Sequence, residues 1–304
     1  MSTVPHFLDV DDLTATQLRR VLDRARAWKE EPGKVPPVLA GQSVAAVFEK
    51  PSARTRVSFE VAVVTLAGHC VTLRGEELGL GTRESVADVA RTLASYCTMA
   101  GLRVFDHRVL EEMARSAPMP FLNLLSDRAH PGQAVGDLLT LEESLGALEG
   151  RRLAFIGDGN NVAASLALAA ALTGLEMVIA SPPGYELDDT VVDRARNLGG
   201  TLELVHEPFE AVGGADAVYT DVWTSMGQES EAEPRRAAFA PYQVNAELLA
   251  AATPGVVFLH CLPAHRGEEV TEEVIEGPAS AVWAQAANRM HSYRALLAEL
   301  AGEL

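Results

Sequence analysis

The sequence predicts an α/β protein of two lobes, each a mainly parallel sheet flanked by helices. Three observations predict it. Short runs rich in Val, Ile, Leu and Phe alternate with stretches of helical period almost from end to end. Those runs are mostly apolar rather than strictly alternating, the pattern of buried strands. The rhythm breaks near Glu149–Arg152 and then repeats, and 304 residues suffice for two separate cores.

In the front half, Ser43–Phe48, Cys70–Leu73, Gly101–Phe105 and Phe121–Leu125 read as strands, with helices at Arg56–Leu66, Val86–Tyr96 and Val109–Ala114. A helix from Gln133 to Leu145 stands before the break and links the halves. In the rear half, strands fall at Leu153–Ile156, Glu176–Ala180, Leu202–Val205, Ala217–Thr220 and Val256–His260. Helices fall there at Val162–Leu172, Asp188–Leu198 and Asn245–Ala252. Strand–helix alternation at this spacing implies parallel pairing through right-handed crossovers. The polar stretch Trp223–Pro241, with its Gly, Pro and Glu-rich run, reads as a long loop of the lid or disordered kind.

Composition removes several classes of function. With 25 basic and 42 acidic side chains the formal charge is −17, which argues against nucleic acid or an anionic membrane surface as a partner. A chain that is 48% hydrophobic and 22% charged is globular rather than disordered. No apolar run approaches the roughly 18 residues that span a bilayer. Met1–Val10 lacks the charged-then-apolar layout of a signal peptide. Cys70, Cys97 and Cys261 show no paired spacing, so neither a disulfide framework nor a zinc site is indicated. A cytoplasmic location is expected.

Six clusters carry the candidate chemistry. Phe48-Glu49-Lys50-Pro51-Ser52-Ala53-Arg54-Thr55-Arg56 follows a predicted strand and opens a predicted helix. The first helical N–H groups are unpaired there, and the helix dipole is positive. Two hydroxyls (Ser52, Thr55) and two guanidiniums (Arg54, Arg56) complete a site suited to phosphate. The alternative, an N-capped helix with a solvated basic first turn, sets those cations against the dipole. His130-Pro131-Gly132-Gln133 lies at another strand–helix junction, where open α/β sheets bind ligands, although a lone His there can equally be a cap or a surface residue.

The remaining four lie in the rear half. Gly157-Asp158-Gly159-Asn160-Asn161 resembles a dinucleotide turn, but Val162 replaces the third glycine and Ser181 follows the next strand in place of an acid. A polar turn presenting Asn160 or Asn161 to a small ligand is more economical. Asp221-Val222-Trp223-Thr224-Ser225-Met226-Gly227 offers a carboxylate, a hydroxyl and backbone N–H groups suited to an amino-acid zwitterion, or simply a Gly-terminated turn. His260-Cys261-Leu262-Pro263 ends the last strand; adjacent strand residues do not face one another, so a Cys–His nucleophile is disfavoured and a pocket-lining thiol is the better reading. Asn288-Arg289-Met290-His291 lies within the C-terminal helix and means little alone.

In their order along the chain these clusters resemble the aspartate/ornithine carbamoyltransferase family, over nearly the whole sequence. Ser-x-Arg-Thr-Arg and His-Pro-x-Gln look like the carbamoyl-phosphate half that the family shares, while Asp-x-x-x-Ser-Met-Gly and His-Cys-Leu-Pro look like its ornithine branch. The resemblance implies transfer of the carbamoyl group from carbamoyl phosphate to L-ornithine, giving citrulline and phosphate, without a metal or organic cofactor. It implies an active site in the cleft between the lobes: residues 1–146 bind carbamoyl phosphate, residues 147–287 bind ornithine, and the helix at 288–304 packs back on the first. Carried over position by position, Ser52, Ala53, Arg54 and Thr55 hold phosphate and Arg103 bridges phosphate and carbonyl oxygens. His130, Gln133 and Arg289 fix the carbamoyl group, with Cys261 and Leu262 beside the reacting amine. Asn161, Asp221, Ser225 and Met226 bind ornithine. Arg103, His130, Cys261 and Asp221 are the catalytic candidates. The family's trimers, or multiples of trimers, imply a homo-oligomer.

Two departures from the family pattern stand out. Ala53 replaces the usual first Thr of Ser-Thr-Arg-Thr-Arg, losing a hydroxyl but keeping the backbone N–H. In the loop Arg74–Ser85, which in the family reaches a neighbouring subunit's site, Glu76 stands near a usual Gln. A carboxylate there repels phosphate unless it is protonated or paired, for instance with Arg74 or Arg83. Other acceptors, such as putrescine or a modified ornithine, and a non-catalytic homologue of the same fold are the competing readings.

Overall fold

Among the described residues nine segments form strands, and every pairing among them is parallel. The computed structural model describes residues 5–224 and 229–302. Contacts divide the chain into two units, Met1–Gly136 with Arg289–Leu304, and Asp137–Asn288.

The first unit contains β1 (Ser43–Phe48), β2 (His69–Arg74), β3 (Met99–Arg103) and β4 (Phe121–Leu125), side by side in the order β2-β1-β3-β4. Its helices are α1 (Ala15–Glu30), α2 (Ala53–Thr65), α3 (Gly75–Leu78), α4 (Val86–Ala94) and α5 (His107–Ser116), followed by the start of α6 (Pro131–Leu145). β1 is buried along nearly its whole length, as an all-apolar central strand must be. Val86, Val89, Ala90 and Leu93 of α4 pack with Leu110 and Met113 of α5 over Ala45, Val47, Ala100 and Leu102 of the sheet.

The second unit contains β5 (Arg152–Ile156), β6 (Glu176–Ala180), β7 (Leu202–Val205), β8 (Ala217–Thr220) and β9 (Val257–His260), in the order β7-β6-β5-β8-β9. Its helices are α7 (Asn161–Thr173), α8 (Asp189–Asn197), α9 (Pro208–Val212), α10 (Ala232–Phe239), α11 (Ala246–Ala250) and α12 (Glu272–Ile275). The chain then enters α13 (Val282–Leu300), within which the second division between units falls. α7 is rich in Ala and Leu and buries Val162 through Ala170 without a break, so its pattern is that of a core helix rather than an amphipathic one. No described helix is long and apolar enough to cross a membrane.

Each sheet has one point where the chain winds outward in both directions: between β1 and β3 in the first, between β5 and β8 in the second. Loops leaving neighbouring strands at such a point part to opposite faces and open a crevice at the carboxyl ends. The Ser52–Thr55 turn and Arg103 leave the first; the Gly157–Asn161 turn and Asp221 leave the second.

Three sequence expectations change. The third strand ends at Arg103, not Phe105, because the register shifts at Leu102/Arg103 and Phe105 is 52% exposed. The stretch Trp223–Pro241 is not all loop: residues 232–239 form α10. Pro234 falls in its first turn, where a missing N–H costs no helical bond. No element is expected at 15–30, yet α1 forms there behind a Thr14/Gln17 capping box, with Leu18, Val21, Leu22, Ala25 and Trp28 buried.

A Cβ at Gly159 would stand 2.3 Å from the Leu187 nitrogen and 2.4 Å from the Glu186 carbonyl carbon. Both are backbone atoms, and the Gly159 N–H donates to the Tyr185 carbonyl at 2.8 Å, which holds the two segments together. Gly159→Ala is expected to lower the unfolding free energy by about 2–3 kcal/mol, read as a lower urea midpoint at unchanged slope.

Candidate active site

The first unit gathers its polar residues around one hydroxyl. Ser52 caps α2, its Oγ accepting from the Thr55 N–H at 3.3 Å and donating to Thr55 Oγ1 at 2.9 Å. Thr55 is fully buried, and its Oγ1 also accepts from Arg289 Nη2 at 2.6 Å and from Arg103 Nη1 at 3.4 Å. Arg289 Nη2 lies 3.1 Å from His130 Nε2. Arg103 ends β3 at its register shift, His130 directly precedes α6 and Gln133 lies in that helix's first turn; all three are buried. Arg289 is buried with hydrogen-bond partners that carry no negative charge, namely Thr55 and His130.

A guanidinium donates only, so His130 Nε2 accepts and the proton of the neutral ring sits on Nδ1. Burial, reinforced by the charges of Arg289 and Arg103, holds this imidazole well below the ordinary 6.5. The cradle therefore contains two buried cations and a neutral ring. Two buried guanidiniums beside a neutral ring concentrate positive charge, a setting that suits an anion.

The residues of the turn differ in direction. Ala53 and Arg54 are exposed at the start of α2. Arg56 is turned aside: its Nε bonds Glu60 Oε1 at 2.8 Å, and Thr72 donates to the same oxygen at 2.5 Å. The Thr72 bond, aided by Arg56, lowers the Glu60 carboxyl below its ordinary value. The sequence groups Arg56 with Arg54 as phosphate forks; in the structure Arg56 is held by Glu60 on the next helical turn. In the loop that follows, Glu76 is exposed and forms no ion pair among the described residues. Arg83 donates instead to the Glu77 carbonyl, and the Arg74 backbone N–H to the Glu77 carboxylate at 2.7 Å.

In the second unit the organising group is a carboxylate. Asp221, buried just past β8, accepts from Asn160 Nδ2 at 2.9 Å and from Cys261 Sγ at 3.1 Å. Asn160 also caps α7, accepting from the N–H groups of Val162 and Ala163 at 2.9 and 3.1 Å. Asn161 is the first helical residue and is half-buried. His260 and Cys261 are adjacent at the end of β9, yet a His260 ring nitrogen, Cys261 Sγ and an Asp221 carboxylate oxygen all lie within 4.8 Å of one another. The Leu262 N–H donates to His260 Nδ1 at 2.8 Å, leaving the ring proton on Nε2, 3.1 Å from Glu269 Oε1. Leu262 itself takes a left-handed backbone, φ 59°. Ser225 and Met226 lie outside the described residues.

Two family descriptions match this chain: aspartate/ornithine carbamoyltransferase, carbamoyl-P binding domain, over residues 5–143, and the Asp/Orn binding domain of the same family over residues 149–300. The chain belongs to the aspartate/ornithine carbamoyltransferase family. It is 46% identical over 301 residues to an anabolic ornithine carbamoyltransferase of Pyrococcus furiosus, covering 97% of this chain and 96% of that one. With an ornithine carbamoyltransferase of Acidothermus cellulolyticus it shares 50% over 301 residues, 98% and 96% of the two chains. The solved ornithine carbamoyltransferase of Pyrococcus furiosus superposes with a TM-score of 0.95 at 45% identity, covering 99% of this chain and 98% of that one.

Against the family's motifs, Ser52, Thr55, Arg103, His130 and Arg289 are joined in one hydrogen-bonded group although 237 positions separate the first from the last. Asp221 and Cys261 are joined in another, to which Asn160 also bonds through Asp221. The helix cap decides this, since it is the cap residue whose amide lies outside the helix and can reach back to the strand end. Sequence reasoning also missed Arg235. It is buried, bonds Asp158 Oδ2 at 2.9 Å and the Trp223 carbonyl at 3.0 Å, and so ties two of the loops together. Burial raises the Asp158 carboxyl, with Arg235 opposing that shift. Only the Glu231/Arg235 spacing of four hinted at a helix there.

The His130 shift has a definite sign. The unfolded chain takes up a proton near pH 6.5, whereas the folded chain resists it, so native stability falls as pH drops below about 6.5 and stops falling once the folded ring titrates. Imidazole nitrogen shifts are expected to report a neutral His130 at pH 6, and His130→Asn to flatten the stability profile between about pH 6.5 and 5. A charged ring at pH 6 would refute the assignment.

Proposed function

We propose that this chain transfers the carbamoyl group of carbamoyl phosphate to the δ-amine of L-ornithine, giving L-citrulline and phosphate in arginine biosynthesis. The observation that carries the reading is the buried pair Arg103 and Arg289, held on Thr55 beside a neutral His130. Residues 1–146 form the carbamoyl-phosphate domain, joined by the helix at 288–304, and residues 147–287 the ornithine domain; the two family descriptions at 5–143 and 149–300 support this assignment.

Phosphate sits at the start of α2 on Ser52, Ala53, Arg54 and Thr55, where unpaired helical N–H groups and the dipole favour an anion. Arg103 spans phosphate and carbonyl oxygens. His130, Gln133 and Arg289 orient the carbamoyl group. Ornithine is held by Asp221, Asn161, Ser225 and Met226, and Asn160 keeps the Asp221 carboxylate in place. Cys261 and Leu262 adjoin the reacting amine. That amine must lose its proton to attack, since such amines ordinarily titrate near 10. Its lone pair adds to the carbonyl carbon, the oxygen becomes an anion facing Thr55, Arg103 and His130, and the bond to the phosphate oxygen then breaks. The amine's second proton leaves with phosphate or passes to Asp221. No metal or organic cofactor is required. The working form is a cytoplasmic homo-oligomer, a trimer or multiple of trimers, as the family resemblance suggests; Glu76 belongs to the loop directed at a neighbouring subunit.

Purified protein supplied with carbamoyl phosphate is expected to form citrulline from ornithine far faster than it carbamoylates putrescine. A preference for putrescine would reassign the acceptor, and no phosphate release with any amine would make the chain a non-catalytic homologue. Arg54→Ala should lower kcat/KM for carbamoyl phosphate by about 100-fold or more while the fold persists. Cys261→Ala should raise the ornithine KM much more than the carbamoyl-phosphate KM; the reverse split would move Cys261 to the donor side.

A further inference from the structure

Next to the donor cradle, on the same helices, lies a pair of aromatic rings. Phe59 follows Thr55 by one turn of α2, and Tyr293 follows Arg289 by one turn of α13. Both are fully buried and meet edge to face, 5.5 Å between centroids at 88°. Each ring presses into a glycine. A Cβ at Gly101 would lie 2.7 Å from Phe59 Cζ, and one at Gly132 would lie 2.5 Å from Tyr293 Cε1. Gly101 stands two residues before Arg103 on β3, hence on the same sheet face. Gly132 stands between His130 and Gln133 in the first turn of α6. The two rings therefore touch all four elements that carry the cradle. The Tyr293 ring also lies under the Arg289 guanidinium at 5.8 Å, a cation–π distance.

We propose that Phe59 and Tyr293 are positioning residues for the anion site, and that Gly101 and Gly132 are notches cut to admit them. The proposal rests on reading the cradle as the carbamoyl-phosphate site. Mutually repelling guanidiniums on long, flexible stems do not converge by themselves. A rigid two-ring wedge sets the spacing of β3, α6, α2 and α13, and with it the separation of Arg103, His130, Thr55 and Arg289. Displacements near 1 Å in such sites cost up to about 100-fold. The ring rather than the hydroxyl performs this, because Tyr293 Oη has no hydrogen-bond partner among the described residues.

Steady-state kinetics of citrulline formation test it. Tyr293→Leu is expected to raise the carbamoyl-phosphate KM about tenfold or more with the ornithine KM within about twofold. Tyr293→Phe, which keeps the ring, should restore the wild-type donor KM. Gly132→Ala should also raise the donor KM, and combined with Tyr293→Leu its effect should be smaller than the product of the two, because the added methyl then enters vacated space. An unchanged donor KM in Tyr293→Leu, equal rises in both KM values, or independent effects in the double variant would overturn the proposal. Should Tyr293→Leu fail to fold, Gly101→Ala presses on Phe59 from the strand side and is read the same way. Calorimetric titration with inorganic phosphate separates this proposal from the functional reading: wild type that binds phosphate but makes no citrulline defeats the reading alone. Phosphate affinity that is equal in wild type and Tyr293→Leu defeats the wedge.

Discussion

Two guanidiniums share one buried hydroxyl, with an imidazole bonded to one of them, and that concentration of polar groups constrains everything around it. Arg103 and Arg289 repel each other, and His130 answers by staying neutral. The Thr55 oxygen, with two lone pairs and donors from three side chains, is the fixed point of the group. Backbone must supply the rest: a strand whose register shifts at Arg103, a helix that begins on Ser52, and a helix that begins directly after His130. A protein of formal charge −17 thereby keeps a small positive interior suited to a doubly charged phosphate compound.

The second unit has the opposite electrostatic character on the same architectural plan. Its parallel sheet also reverses winding direction once, and the groups that leave that point converge on a carboxylate. Asp221 accepts from an amide and a thiol, both neutral, so its charge remains uncompensated by those partners and suits a cationic amine. The turn after β9 is braced from behind. The His260 ring accepts from the Leu262 N–H and faces Glu269, while the His260 backbone N–H donates to Gln285 Oε1 at 2.9 Å. The Cys261 thiol donates to Asp221, and His260, Cys261 and Asp221 converge within 4.8 Å.

Local pattern carried a large part of this. Strands β1, β4, β6, β7 and β8 fall where largely apolar runs of four to six residues lie between helical stretches. The parallel arrangement follows from alternation alone. What misled was punctuation. Pro234 and the Glu-rich run read as loop although a proline in the first helical turn is harmless, and Phe105 read as strand although the sheet had already ended. The helix at 15–30 was legible in its Thr14-x-x-Gln17 cap and was passed over because it lies outside the strand–helix alternation.

By itself the sequence determined the fold class, the order of the motifs and the chemical type of each: cations and hydroxyls in the front half, amides, a carboxylate and a thiol in the rear. Only tertiary structure decided which of them meet. Arg289 meant little from its own helix and gained a site role only through the family resemblance; the fold brings it 2.6 Å from Thr55. Arg56 is bonded to Glu60 one helical turn on, and Asn160, the cap of α7, reaches Asp221. Distance along the chain says nothing about such encounters, because they arise where strands far apart in sequence end side by side. Which side chain points inward there is set by caps, bulges and the absence of a Cβ at two glycines, features that take on meaning only against a neighbour.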